Sequence, residues 1–444
     1  MTTRILFTGA AGRVGREAIA KLKRAAPEAF SIRACCRDGE FSAKADALRS
    51  IGADEVVDFN FEDPTTFENA LDNVHQIYHC SPDPANISLE LAQQQMEFSR
   101  AIKTSESRDQ ISLIVRLSCI GVNTLGHSYT DNDLNSGTPK MNTRVPHIIR
   151  TYATIERLLM ETGVPVTSLR GGFFMNHMIK GDATRILGQE TIPQQDSSGP
   201  EYTQGNSFVL PFGEKRRAEI SAVDIGEAVA NIFLDEKYHG GGVKVGKSSH
   251  AGQLYTLTGR EALSMHDIAC CLRRVTDSQN IQYCPATDGG KAFAQQIGET
   301  RWHFLKWLMF DSKRIAERGL SSDLHEEFEL GGHRYVHAGD LCGPGVTLAE
   351  FCSNDIVGLL GREQLSYFDH MTKTDCSGQT GLQSLQNGDE LPNELTCSRM
   401  VNARQQENCR AGTVRQTAAV KQDCSVSKQA KKCNFAPSTY VENY

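Results

Sequence analysis

The chain has 444 residues, a formal net charge of −7, and 39% apolar against 23% charged residues. That length allows two or three domains, and the acidic balance leaves no electrostatic footprint for nucleic acid or an anionic membrane surface. No apolar run reaches the ~20 residues that a bilayer-spanning helix needs. A strand begins almost at once, so no signal peptide is expected, and none of the 14 cysteines forms a Cys-x-x-Cys pair. Neighbours such as Cys35-Cys36 and Cys270-Cys271 cannot readily bridge, which points to free thiols in a reducing, cytoplasmic compartment.

Ile5, Leu6 and Phe7 read as a short strand buried on both faces, and a helical pattern through Ala18, Ile19 and Leu22 follows. Between them lies Thr8-Gly9-Ala10-Ala11-Gly12-Arg13-Val14-Gly15. A strand that turns through glycines into a helix aims backbone N–H groups and the positive end of the helix dipole at one spot, which suits a pyrophosphate. Gly9 allows the turn, Gly12 the approach of the phosphates, and Gly15 the close packing of helix on strand. The other reading is a tight turn with no ligand.

The second strand, Ser31 to Cys36, ends at Arg37 and Asp38. An acidic residue near this position binds the ribose of NAD, whereas arginine suits the 2′-phosphate of NADP. Arg37, with Arg13 from the glycine loop, favours NADPH, and Asp38 keeps NADH open. Further strands are expected at Glu55–Phe59, Gln76–Cys80, Ile111–Ser118 and Val164–Arg170, with helices at Ala43–Ile51, from Thr66, at Leu89–Ile102 and from Pro146 to Gly163. The fold class expected is therefore α/β, a doubly wound parallel sheet of Rossmann type. Ser81 and Pro82, just past a strand's carboxyl end, should border the cofactor. His79 reads as a packed, satisfied histidine.

The Gly-x-x-Gly-x-x-Gly spacing resembles the atypical short-chain dehydrogenase/reductases, and its wording most resembles their NmrA-like branch. Asn60-Phe61-Glu62-Asp63-Pro64, Leu117-Ser118-Cys119-Ile120-Gly121, Arg170-Gly171-Gly172-Phe173-Phe174-Met175-Asn176-His177, Ile220 to Ile225 and Leu254 to Ser264 extend that resemblance, and Thr347 to Phe351 looks like the family's closing helix. It implies that Asn60 and Phe61 pass the adenine, that Ser118 holds a substrate carbonyl, and that the loop after Arg170 lines the nicotinamide end. Typical short-chain reductases carry Tyr-x-x-x-Lys, in which the tyrosine gives its proton to the carbonyl oxygen; NmrA-like proteins carry His-x-x-x-Glu. This chain reads Tyr152-Ala153-Thr154-Ile155-Glu156, a hybrid. Tyr152 is thus either an acid group or a core tyrosine on an amphipathic stripe. Glu156 is expected to make a structural hydrogen bond or ion pair.

Residues 122–145 read as a long polar loop, 188–207 as another, and 285–320 as helices of a small lobe whose apolar wall includes Trp302, Phe304, Trp307, Leu308 and Phe310. Ser221 and Asp224 have capping-box spacing. His333 and His337, near His325 and Asp340, complete no ligand set and read as helix-surface histidines, so no metal is expected. The organisation expected is a Rossmann domain at 1–180, a substrate lobe interwoven with it at 181–360, and a disordered tail at 361–444 carrying five scattered cysteines. The function expected is hydride transfer from NADPH, or NADH, to a small conjugated acceptor. The alternative is a non-catalytic dinucleotide sensor that binds a partner protein.

Overall fold

A computed structural model describes residues 2–37, 39–81, 89–136, 145–175, 207–238, 250–277, 281–311, 327–338 and 352–372. The strands are β1 (Thr3–Phe7), β2 (Phe30–Cys36), β3 (Glu55–Asp58), β4 (Gln76–His79), β5 (Leu113–Cys119), β6 (Val166–Gly171), β7 (Ser207–Leu210), β8 (Gln253–Leu257), β9 (Gln282–Pro285), β10 (Glu327–Leu330) and β11 (His333–Ala338). Between β1 and β6 run α1 (Arg13–Ala25), α2 (Ala43–Ser50), α3 (Phe67–Leu71), α4 (Leu89–Thr104), α5 (Thr124–His127), α6 (Asp131–Ser136) and α7 (His147–Met160). Later come α8 (Ala222–Tyr238), α9 (Met265–Thr276), α10 (Lys291–Ile297), α11 (Glu299–Lys306), α12 (Asp355–Leu360) and α13 (Tyr367–Thr372).

Nine strands form one sheet in the order β10-β11-β8-β6-β5-β4-β1-β2-β3, parallel throughout except for the β10–β11 hairpin. The apolar strands serve two layers at once. Ile5 and Phe7 join the core beneath α1 and α8, while Leu6 joins the opposite core beneath α3, α4 and α7. Helices α1 and α8 cross so closely that a Cβ at Gly226 would lie 2.4 Å from Glu17 Cβ. The direction of winding reverses between β1 and β4, and ligands of open α/β sheets bind outside the carboxyl ends of strands at such a point.

A third core belongs to the lobe built on the β7–β9 pair, α9, α10 and α11. Helix α7 joins this lobe to the sheet: Ile149 and Ala153 enter the lobe core, whereas Ile148, Ile155 and Leu159 enter the sheet core. Tyr152 packs against both, at the seam.

Three expectations need correction. Residues 122–136 are not a plain loop: Asn123 Oδ1 accepts the Gly126 N–H and starts α5, and α6 follows. His333 and His337 lie on strand β11, where His337 Nε2 meets Thr256 Oγ1 at 2.9 Å and His333 Nε2 meets the Gly163 carbonyl at 3.1 Å. A short β-hairpin, turned by Gly331 and Gly332 at positive φ, stands where helix was expected. The tail does not start at 361, since residues 361–372 pack on the body. Leu365, Tyr367 and Met371 are buried, the Leu365 N–H donates to Asp224 Oδ2, and Arg362 reaches Asp224 and Glu227. Asp224 is thus taken up by this strap, and only the Ser221 half of the expected cap forms, accepting the Val223 N–H at 3.1 Å. Pro82, Asn176, His177, residues 188–206, His325, Asp340, Thr347–Phe351 and the five tail cysteines lie outside the described residues.

Candidate functional site

The glycine loop is stitched to the end of β4 on the far side of the reversal. The Thr8 N–H donates to the Tyr78 carbonyl (3.1 Å), Thr8 Oγ1 donates to the Cys80 carbonyl (3.2 Å), and the Cys80 N–H returns to Thr8 Oγ1 (3.1 Å). A Cβ at Gly9 would stand 2.5 Å from Cys80 Cβ, and one at Gly15 would stand 2.2 Å from the Gly9 carbonyl oxygen. Glycine is therefore required sterically at both positions. Gly12 is the N-cap of α1, with no side-chain cap and no acidic residue in the first turn. Four N–H groups at a helix start have no intrahelical acceptor, and an anion answers them together with the dipole. The residues present thus fit a dinucleotide pyrophosphate, with Ala11 half-buried beside Gly12 and Val14 in the core.

Arg37 is exposed just beyond β2, and Arg13 is half-buried in the first turn of α1. Asn60 Oδ1 accepts the Glu62 N–H at 3.1 Å, forming a turn in which its amide NH2 is a donor. Phe61 is 6% exposed and packs edge-on to Phe59 and Phe98, so it supplies a wall rather than a free stacking face. Phe173 lies in the lobe core, and Phe174 is half-buried.

Beyond Cys80, the α7 face of the sheet carries two buried arginines that the sequence reading did not assign. Arg170 on β6 donates to Glu156 Oε2 (2.7 Å), to Glu156 Oε1 through Nε (3.2 Å) and to Thr124 Oγ1 (2.8 Å), and Ser168 Oγ adds a bond to Glu156 Oε1 (2.6 Å). Burial alone would raise the Glu156 pKa, but Arg170 and the Ser168 hydroxyl outweigh it and bring it down to about 2. Glu156 is therefore a fixed carboxylate in an ion pair, and Ser118, 6% exposed near the end of β5, keeps an Oγ with no hydrogen-bond partner among the described residues.

Arg116 on β5 lies between His79 on β4 and Ser168 on β6. It is fully buried, with Nη1 3.0 Å from His79 Nδ1 and Nη2 donating to Ser81 Oγ at 3.0 Å. Its guanidinium carbon stands 5.3 Å from the centre of the Tyr152 ring. Burial and the adjacent Arg116 push the His79 pKa well below its usual value, so the ring is neutral, with Nδ1 accepting from Arg116 and the Nε2 hydrogen donated to Gln95 Oε1 at 2.8 Å. The structure thus brings Tyr152, Ser81 and Ser118 to one layer beside the glycine loop, with Arg116 beneath Tyr152. One signal could have found Arg116: a charged residue inside an otherwise apolar parallel strand is almost never buried without a purpose.

Residues 9–200 match the model of an NAD(P)H-binding family. That match gives the chain an NAD(P)H-binding segment. By sequence, no curated protein matches the chain. Among solved structures, this chain is similar to the Escherichia coli NADPH-dependent quinone oxidoreductase complexed with NADPH, at a TM-score of 0.52 and 18% identity over 82% of this chain and 97% of that one. It is similar to the Citrobacter triphenylmethane reductase complexed with NADP(H), at 0.51 and 14% over 82% and 96%. A Staphylococcus aureus nucleoside-diphosphate-sugar epimerase gives 0.52 and 15% over 83% and 99%. At these identities the likeness is one of fold alone. Among the described residues, no helix is long and apolar enough to cross a membrane, and no group of three His, Cys, Asp or Glu could hold a metal ion.

Proposed function

We propose that this protein is an NmrA-like, NADPH-dependent reductase of a small, flat, conjugated acceptor (a quinone, an enone or an imine), working in a reducing cytoplasmic compartment. When bound, the dinucleotide supplies a hydride. Thr8, Gly9, Ala11, Gly12, Arg13, Val14 and Gly15 hold the pyrophosphate in this reading, Arg37 and Arg13 take the 2′-phosphate, Asn60 and Phe61 border the adenine, and Ser81 closes the loop's far side. Tyr152 gives its proton to the acceptor oxygen or nitrogen. Ser118, whose Oγ has no hydrogen-bond partner among the described residues, holds the acceptor's carbonyl oxygen.

The observation that carries the reading is the position of Tyr152. It is half-buried at the seam of sheet and lobe, on the layer that holds the glycine loop's partner strand, and over a buried cation. An acceptor that is already conjugated needs little further acid catalysis, so binding and orientation can supply most of the rate. The second reading, a non-catalytic sensor, draws on the carboxylate locked on Arg170 where typical short-chain reductases keep a lysine.

The test is oxidation of NADPH by the purified protein, followed by absorbance, against a panel of quinones, enones and cyclic imines, with NADH alongside. Turnover with one acceptor class, falling about 10²-fold or more in Tyr152→Phe, is expected. Tight cofactor binding with no turnover on any acceptor would leave the sensor.

A further inference from the structure

We propose that Arg116 is the positioning cation of Tyr152, its guanidinium held in place to balance the phenolate that forms when Tyr152 gives up its proton. This rests on the reading of Tyr152 as proton donor, but its first readout requires no turnover.

Three other buried arginines supply the contrast. Arg33 holds Glu55, Arg170 holds Glu156, and Arg217 holds Glu219, each at 2.8 Å or less. Arg116, no less buried, bonds only two neutral groups, the His79 ring and the Ser81 hydroxyl, and its Nε has no partner among the described residues. A guanidinium taken out of water without an anion is costly, and the burial itself pulls its pKa down. The groups that offset this are Tyr152 first, then Cys80, Glu156 and Tyr78. Glu156 is already neutralised by Arg170 across on β6, and burial drives the Tyr78 phenol well away from ionising. Tyr152 and the Cys80 thiol are left as the groups that can present Arg116 with a negative charge.

Helix α7 makes the arrangement systematic. Residues four apart stack on one helix face, so Tyr152 and Glu156 look down on adjacent strands, one over Arg116 and the other on Arg170. The second pair is permanently charged. The first becomes an ion pair only when the phenol is deprotonated. In the proposed step a hydride adds to the acceptor carbon, the π electron pair moves to the acceptor heteroatom, and that atom takes the Tyr152 proton. The O–H pair stays on Tyr152 as phenolate against Arg116, until water returns a proton.

The experiment is an alkaline titration of phenolate absorbance on the full chain. Subtracting the Tyr152→Phe curve from the wild-type curve isolates the ionisation of Tyr152, and the same subtraction is repeated in an Arg116→Met background. The isolated step is expected one to three pH units lower with Arg116 present than without it, on the order expected of an opposite charge at this distance. Arg116→Lys is expected to restore most of the shift. If the methionine variant melts early, Arg116→Gln takes its place, keeping polar contacts to His79 and Ser81 without the charge. A step at the same pH in both backgrounds overturns the proposal. So does a step that moves in thiolate absorbance and vanishes with Cys80→Ser, which would make the thiol the partner. If an acceptor is found, the alkaline limb of kcat should shift in Arg116→Met in the same direction and return in Arg116→Lys. A shifted tyrosine step with no turnover on any acceptor would leave this inference standing and remove the reductase reading.

Discussion

Arg170 and Arg116 are the same residue type on neighbouring strands, pointing to the same side of the sheet beneath the same helix, yet they are treated oppositely. Arg170 is saturated, with two oxygens of Glu156 and the Thr124 hydroxyl around a guanidinium that is 2% exposed. Among the described residues, Arg116 is bonded to neutral groups alone. A buried ion pair mainly fixes geometry, because the Coulomb gain roughly cancels the desolvation of its members. A buried cation without a fixed anion stabilises little, and its value lies in the charge it can receive. The first arginine therefore belongs to the architecture of the sheet–helix interface, and the second to the chemistry at its upper end.

The largest effect expected from this contrast is on stability. Glu156→Leu leaves Arg170 buried with no anion and should cost about 3–5 kcal/mol in urea denaturation. The counterpart on the other arginine, Ser81→Ala, removes one neutral acceptor and should cost about 1 kcal/mol. Equal losses would erase the distinction between the two sites. The acid response sharpens it. The folded Glu156 pKa of about 2 lies below the ordinary 4.5, so its contribution is fully present above pH 4.5 and is lost as the pH falls from 4.5 toward 2. Denaturation midpoints should drop across that window and flatten in Glu156→Gln, whereas neither Tyr152→Phe nor Ser81→Ala should change the slope. An intermediate effect is expected from Arg37, an arginine that stays exposed. Arg37→Ala should weaken NADPH by about tenfold, as suits one charge-assisted phosphate contact, and leave NADH untouched in a binding titration. A loss shared by both cofactors would show that Arg37 does not read the 2′-phosphate.

How far the sequence could be read depended on whether a feature was local. The glycine loop was legible because each glycine answers a local steric demand, and β1, β2 and β4 to β6 were legible from continuous apolar runs. Glu156 was read as an ion-pair residue, but its partner was out of reach, since nothing in the spacing of 156 and 170 links a helix to the next strand's end. Arg116 was hidden by its neighbours: Ile114, Val115 and Leu117 made the strand look uniformly apolar. The β10–β11 hairpin was missed because Gly331-Gly332 separates two segments rich in charge and histidine, whose alternation is weak. The strap at 362–372 was missed because its anchors, Leu365, Tyr367, His370 and Met371, are few and sit at the edge of a polar tract.

That strap has a consequence for how the protein is made. Arg362, the Leu365 N–H and His370 close on Asp224, Glu227 and Ser221 at the start of α8, and α8 in turn wedges against α1 at Gly226, directly behind the glycine loop. On the ribosome the phosphate-binding glycines emerge first and the residues that brace their helix emerge last among the packed elements. A nascent chain would hold the loop's sequence, until residues 362–372 follow, without the support that shapes it. Full shaping of the loop would then wait until the strap at 362–372 has been made and docked on α8.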